Sequence, residues 1–319
     1  MMTARTARTL GAVAAVVALA ALPGITASNY VVGIAVSGLL MTVAAVALNL
    51  VYGFAGLLSF ASLGFWGIGA YCSALTVVDL GGSFWAGIGV AAAVNGLLAL
   101  LIGVPMLRTK RHAFVVVSIT FALLCTLVSR DWTGVTRGPM GIPGLPAPTA
   151  FGYAFAGSPR FYYVALVFAV LALALLHALG TSRIGLTLKA IKQNEPLAQS
   201  QGIAPLPYKL LAFAVGAAIT GMAGGIMAFH LGIVDPLIFD LYYMQTFLII
   251  VIIGGAGSFW GVLLAGVAMV VLPEALRVSQ DLRMVIYGAV LVLAMLALPR
   301  GVAGWLEDRR VAALRARLR

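Results

Sequence analysis

The sequence predicts an all-α polytopic membrane protein, a single domain over residues 1–319 with about ten transmembrane helices (range eight to ten). Three observations predict it. The 319 residues are 62% hydrophobic and only 9% charged, with a mean hydropathy of +1.09, whereas a soluble domain has about a quarter of its residues charged. Apolar runs, most of them long enough to cross a hydrocarbon core of about 30 Å, follow one another with short breaks. Basic residues gather in alternate breaks, as the positive-inside rule requires. A membrane barrel would instead show short alternating strands.

In chain order, the expected spans are Leu10 to Leu22, Tyr30 to Leu50, Phe65 to Leu80, Phe84 to Leu107, Ala113 to Ser129 and Phe161 to Leu179. A polar stretch, 180–209, follows this first group (10–179). The second group (210–299) holds Leu210 to Gly232, Tyr243 to Gly254, Ser258 to Leu272 and Met284 to Pro299, and a basic tail closes the chain at 300–319. The first run follows two arginines but has no clear small-x-small cleavage site before a soluble domain, so it reads as a membrane helix rather than a signal. Ten spans rather than nine follow from Gly254-Gly255-Ala256-Gly257, which returns the chain and keeps the arginine-rich tail on the basic side. Eight remain if the first run lies on the surface or the glycine break is re-entrant.

With the N-terminus inside, fifteen of the twenty lysines and arginines fall on one side with three acidic residues, and five fall on the other with six. The net charge of +11 is thus a product of topology and of attraction to an anionic inner leaflet, and does not indicate nucleic acid. Cys72 and Cys125 fall inside spans and read as packing residues. His112, His177 and His230 are scattered and show no metal-ligand spacing. The chain lacks Gly-x-Ser-x-Gly, His-Glu-x-x-His and a G-x-x-x-x-G-K-[ST] loop, which excludes the hydrolytic and P-loop signatures. Ionisable residues deep in the spans, the usual relays of proton-coupled carriers, are almost absent. The polar residues left there are mild ones such as Asn49 and Asn95, serving interhelical hydrogen bonds or substrate contact.

Glycine, 37 residues in all, carries the pattern. In "LNLVYGFAGLLSFASLGFWGIGAY" (48–71), Gly53, Gly56, Gly64, Gly67 and Gly69 interrupt an apolar run, permitting either close helix packing or a break at membrane depth beside a path. In "GTSRIGLTLKAIKQNEPLAQSQGIAPLPYK" (180–209), Ile184, Leu188 and Ile191 recur at helical spacing. Asn194, Glu195 and Pro196 form an N-cap and first turn, and Gly202 suits the end of a second short helix. On its own this stretch is either a lipid-facing amphipathic loop or a docking element.

Four stretches in order resemble the permeases of branched-chain amino acid ABC importers, specifically the LivM-type subunit. "GFAGLLSFASLGFWGIGAY" is similar to that family's first signature, "VTRGPMGIPG" (135–144) to its external Thr-Gly-Gly-x-x-Gly-Ile loop, "IIGGAGSFWGVLLAG" (252–266) to its Gly-Gly-x-Gly-Ser-x-Trp-Gly run, and "YGAVLVLAMLALPRGVAG" (287–304) to its last span. Leu57, Ala61 and Ser62 depart from the usual Gln, Gly and His. "AIKQNEPLAQSQGI" (190–203) resembles the coupling loop that docks on the ATP-binding subunit, although Leu197, Gln199 and Ser200 replace Ala, Glu and Ala.

The resemblance implies a non-enzymatic transport subunit of a bacterial inner membrane, with both termini cytoplasmic. It would work with a second related permease, two cytoplasmic ATP-binding subunits that hold ATP and Mg, and an extracytoplasmic substrate-binding protein. The cargo would be branched-chain or other hydrophobic amino acids. Alternatives are urea, short amides or small carboxylates in the same importer class, or a gradient-driven secondary transporter. It assigns ATPase coupling to Ile191, Asn194, Glu195, Ala198, Gly202 and Ile203. The translocation path would involve Asn49, Gly53, Gly56, Ser59, Ser62, Gly64, Gly67 and Gly69, and binding-protein docking Arg130, Asp131, Arg137, Gly138 and Gly141. No metal and no cofactor is expected on this chain.

Overall fold

A computed structural model describes residues 19–24, 28–150, 153–155, 158–275, 301 and 304. Ten helices of six residues or more are named here in chain order. They are α1 (Asn29–Asn49), α2 (Ala61–Val78), α3 (Phe84–Leu107), α4 (Arg111–Asp131), α5 (Ser158–Thr181), α6 (Arg183–Gln193), α7 (Glu195–Ser200), α8 (Pro205–Leu231), α9 (Leu241–Gly254) and α10 (Phe259–Ala275). Residues 19–24 are also helical. Among the described residues seven helical segments are long and apolar enough to cross a membrane, and Phe259–Ala268 is a shorter apolar one. Eight of the ten expected spans therefore have a helix at their place. Most of Leu10 to Leu22, all of Met284 to Pro299 and the tail beyond Gly304 lie outside the described residues.

Helix ends differ from the sequence reading where polar groups find partners. The third span begins at Ala61 rather than Phe65, because its first turn is held by α4: the Phe60 N–H donates to Ser118 Oγ at 3.0 Å. The seventh begins at Pro205 rather than Leu210 and takes in Lys209, whose charge is met by Glu195 at 2.7 Å. The eighth is lengthened by a 3-10 turn, Pro236–Phe239, to Pro236–Gly254, with Asp240 Oδ1 capping α9 through the Tyr242 N–H at 2.7 Å. Short strands depart from the all-α expectation: Ile142–Pro143 pairs antiparallel with Ile233–Val234, and Thr149–Ala150 with Tyr153–Ala154.

The core is built by small residues that bring backbones together and aromatic rings that fill what remains. Helix α8 lies against α2 and α3, and α1 packs on α5, α8, α9 and α10. A Cβ at Gly69 would strike the Gly221 carbonyl of α8, and one at Gly224 the Trp66 carbonyl of α2, so the α2–α8 contact depends on missing side chains. Trp66 then packs between Tyr243 and Phe247 of α9, with centroids at 5.5 and 5.4 Å. Gly69→Val is expected to force α2 from α8 and to lower the folded, monodisperse fraction in detergent severalfold by size-exclusion chromatography. Helix α4 is the least covered span, and Val116, Leu123 and Leu127 are exposed. Cys72 and Cys125 are free thiols, and no His/Cys/Asp/Glu group among the described residues is arranged to hold a metal.

Candidate functional site

Two breaks in the spans and the polar 180–209 stretch meet at the end of the bundle that carries Lys189, Lys192 and Lys209. The first break follows α1. Residues Leu50–Phe54 widen into a π turn, and the chain then runs without regular structure to Ala61. Loosened helical turns leave carbonyls without backbone partners, and here the Gly53 carbonyl accepts from Lys192 Nζ at 2.8 Å. The second break, residues 255–258, separates α9 from α10.

One side chain joins the two breaks. Asn49 Oδ1 accepts from the Gly257 N–H at 2.9 Å, while its Nδ2 donates to the Ser258 carbonyl at 3.3 Å. Asn49 is buried, so both bonds replace water for groups that would otherwise be orphaned in a low-dielectric setting. Gly53 makes the approach possible, because a Cβ there would land on the Asn49 carboxamide and the Gly257 nitrogen. Gly301, from the stretch resembling the family's last span, stands against Gly255 at the same place.

The 180–209 stretch folds as two helices. Ser182 caps α6, whose Gly185, Leu188 and Ile191 turn inward against α5, the π turn and α8. Lys189 Nζ lies 4.5 Å from the centroid of the Phe54 ring. Asn194 Oδ1 caps α7 through the Leu197 N–H at 3.1 Å, with Pro196 in the first turn. The chain leaves α7 through Gly202 at φ +79°, and the Ile203 N–H returns to the Ala198 carbonyl at 3.1 Å. Glu195 binds Lys209 Nζ at 2.7 Å, with side-chain exposures of 42% and 9%, tying the start of α7 to α8. Buried Ala198 seats the inner face. The outer face shows Leu197 at 58% exposure and exposed Pro196, Gln199, Gln201 and Gly202.

Between the first break, the end of α5, α6 and the second break lies a cavity of about 660 Å³, lined by Gly53, His177, Lys189, Lys192, Ser258 and Trp260 among others. Burial first, then the charges of Lys189 and Arg111, hold the Lys192 ammonium below the usual lysine range.

The sequence-derived residues thus divide. Asn49, Gly53 and Gly56 are gathered at the breaks, Gly56 under the Lys192 side chain. Ser59, Ser62, Gly64, Gly67 and Gly69 are buried along α2, the helix that follows the first break, and the segment entering it. Gly64 faces Phe121 of α4 and Gly67 faces Phe239. All of these except half-buried Gly56 are enclosed within the chain. At the opposite end, Arg130, Asp131 and Arg137 are exposed, Arg137 pairing with Asp79 at 2.9 Å. Gly138 and Gly141 are buried beneath them, Gly141 close against Val234 and Asp235. The sequence reading missed Lys192 and Lys209 as fixed partners. A signal existed for Lys209: Glu195 is the sole acidic residue between Asp131 and Asp235.

Residues 30–295 match the family model described as branched-chain amino acid transport system / permease component. The chain belongs to that family. It is 32% identical over 294 residues to the high-affinity branched-chain amino acid transport system permease protein LivM of Salmonella typhimurium strain LT2, covering 85% of this chain and 69% of that protein. LivM of Escherichia coli K12 is 31% identical over the same shares. The permease protein LivH of Escherichia coli K12 is 24% identical over 292 residues, 84% of this chain and 92% of that one. The greater likeness to LivM makes this permease LivM-type. No solved structure matches the chain.

Proposed function

We propose that this permease is the LivM-type transmembrane subunit of an ATP-driven importer for branched-chain or other hydrophobic amino acids, paired with a second permease and coupled through α6–α7 to separate ATPases. The observation that carries the reading is a continuous linkage. An exposed short helix, α7, follows α6 directly, Lys192 of α6 holds the Gly53 carbonyl at the first break, and Asn49 joins that break to the second. A rigid displacement of α7 by a partner is transmitted to two spans at once, which is the mechanical requirement for alternation driven from outside the membrane. ATP and Mg would reside on the partner chains, and the substrate class follows the names of the LivM and LivH relatives.

In this reading Leu197, Gln199 and Gly202 face the ATPase, whereas Ile191, Asn194, Glu195, Ala198 and Ile203 hold the helix that presents them. The buried path residues act by setting where α1 and α9 bend beside the path. Their burial within one chain supports this role over an open lining. The exposed Trp132, Met140, Arg130 and Asp131 supply the surface for an external binding protein. By the positive-inside rule α6–α7 is cytoplasmic.

The test is uptake of labelled leucine by the assembled complex, with and without a mutation that abolishes nucleotide binding in the ATPase. Uptake that stops without ATP binding supports the reading. Uptake that continues, and collapses with uncoupler, overturns it in favour of a gradient-driven carrier. Gly202→Val places a β-branched residue at φ +79°, a strain of about 1–2 kcal/mol. It is expected to weaken ATPase capture severalfold in a pull-down while the chain stays in the membrane.

A further inference from the structure

The geometry of the cavity points to a bound phosphate group. We propose that it takes the headgroup of an anionic phospholipid through Lys189 and Lys192, an inference independent of the transport reading.

The charges are unbalanced. Both lysines line the cavity and no aspartate or glutamate does so among the described residues. The ion pairs among the described residues are Arg137–Asp79 and Lys209–Glu195, both outside the lining, so neither Lys189 nor Lys192 has a carboxylate partner among those residues. Lys192 spends one donor on the Gly53 carbonyl and keeps two. Arg111 is close enough to depress its ammonium pKa further, and an entering anion relieves that repulsion. His177 Nδ1 is buried without a hydrogen-bond partner among the described residues, and His177 belongs to the same lining, as do Thr181 and Ser258. The volume, about 660 Å³, is within the range of about 300–1,000 Å³ typical of small-ligand sites.

The position favours a lipid over a free anion. The cavity lies where α5 ends and α10 begins, and the ends of two apolar helices beside a basic loop are where a cytoplasmic membrane–water boundary is expected. Trp260 at its rim is 38% exposed, and Leu264, one turn further along α10, is 56% exposed. A tryptophan at headgroup level with an apolar residue beneath it is the arrangement that meets a phospholipid at its glycerol. Two lysines converging on one phosphate give a charge-assisted site, and cytoplasmic-leaflet anionic lipid is the abundant phosphate donor at that depth.

The experiment is native mass spectrometry and thermal melting of the delipidated full-length permease. It is titrated with phosphatidylglycerol, phosphatidylcholine or inorganic phosphate. Phosphatidylglycerol is expected to bind at least tenfold more tightly than phosphatidylcholine and to raise the melting temperature. The double variant K189Q/K192Q should lose most of that preference, while Lys110→Gln, outside the cavity lining, should keep it. Equal binding of the two lipids to the wild type overturns the proposal, with no variant needed. Inorganic phosphate that displaces phosphatidylglycerol at low millimolar concentration overturns the lipid assignment in favour of a soluble anion. If K189Q/K192Q loses ATPase capture but keeps its lipid preference, the lysines serve a partner protein and the proposal fails.

Discussion

Glu195→Lys is expected to abolish capture of the ATPase subunit and to reduce leucine uptake by tenfold or more, with the permease still inserted. The substitution strands Lys209, buried at the start of α8, and sets a second ammonium where its partner stood. Removing one member of a buried pair costs about 3–5 kcal/mol. Glu195 is 42% exposed, so solvent screening brings the expected cost to about 1–2 kcal/mol. That energy bears on the attachment of α7 rather than on the bundle, since α1, α2 and α8 are joined by apolar contacts that do not involve the pair. Glu195→Gln, which keeps an acceptor for Lys209, should lose much less. Equal capture by wild type and Glu195→Lys, measured by pull-down from solubilised membranes, would sink the role given to α7.

Gly53→Val is expected to produce the largest functional defect of any single change at the breaks. Its side chain would occupy the place of the Asn49 carboxamide and the Gly257 nitrogen. The Asn49 bonds to Gly257 and Ser258 must then open. Each buried polar group left without a partner costs about 1–3 kcal/mol. Uptake should fall to background while ATPase capture persists, because α7 keeps its own cap and its ion pair. Asn49→Leu, which removes the same two bonds without adding bulk at Gly53, should reproduce the defect in milder form. Uptake by Gly53→Val within twofold of wild type would show that the two breaks need not be joined.

The spans were legible because their signal is local: composition over a window about the thickness of a bilayer. The α6–α7 pair was legible for a similar reason, since Asn194, Pro196 and Gly202 are punctuation read within a few positions. The contacts that make the site were not. Asn49 meets Gly257, Lys192 meets Gly53, and Gly69 meets Gly221 across long separations, and nothing in the windows around these residues encodes the pairing. From sequence alone the glycines of 48–71 suit either close packing or a break beside a path. In the structure Gly64, Gly67 and Gly69 lie in close contacts and Gly53 sits at a break, so one stretch holds both tight packing and a helix break. The extension of the seventh span to Pro205 was hidden for an electrostatic reason. A lysine looks like the end of a membrane helix unless its carboxylate, fourteen residues earlier, is known to reach it.

The Asn49 bridge also has a consequence for the order of synthesis. Its partners lie 208 and 209 positions later in the chain. At about 5–20 residues per second, a ribosome needs about 10–40 s to reach them. Through that interval the Asn49 carboxamide has neither of these partners, and only the arrival of the last fifth of the sequence supplies them. A chain truncated before Gly257 would leave that carboxamide without either bond, a buried polar group whose cost is lifted only when synthesis is nearly complete.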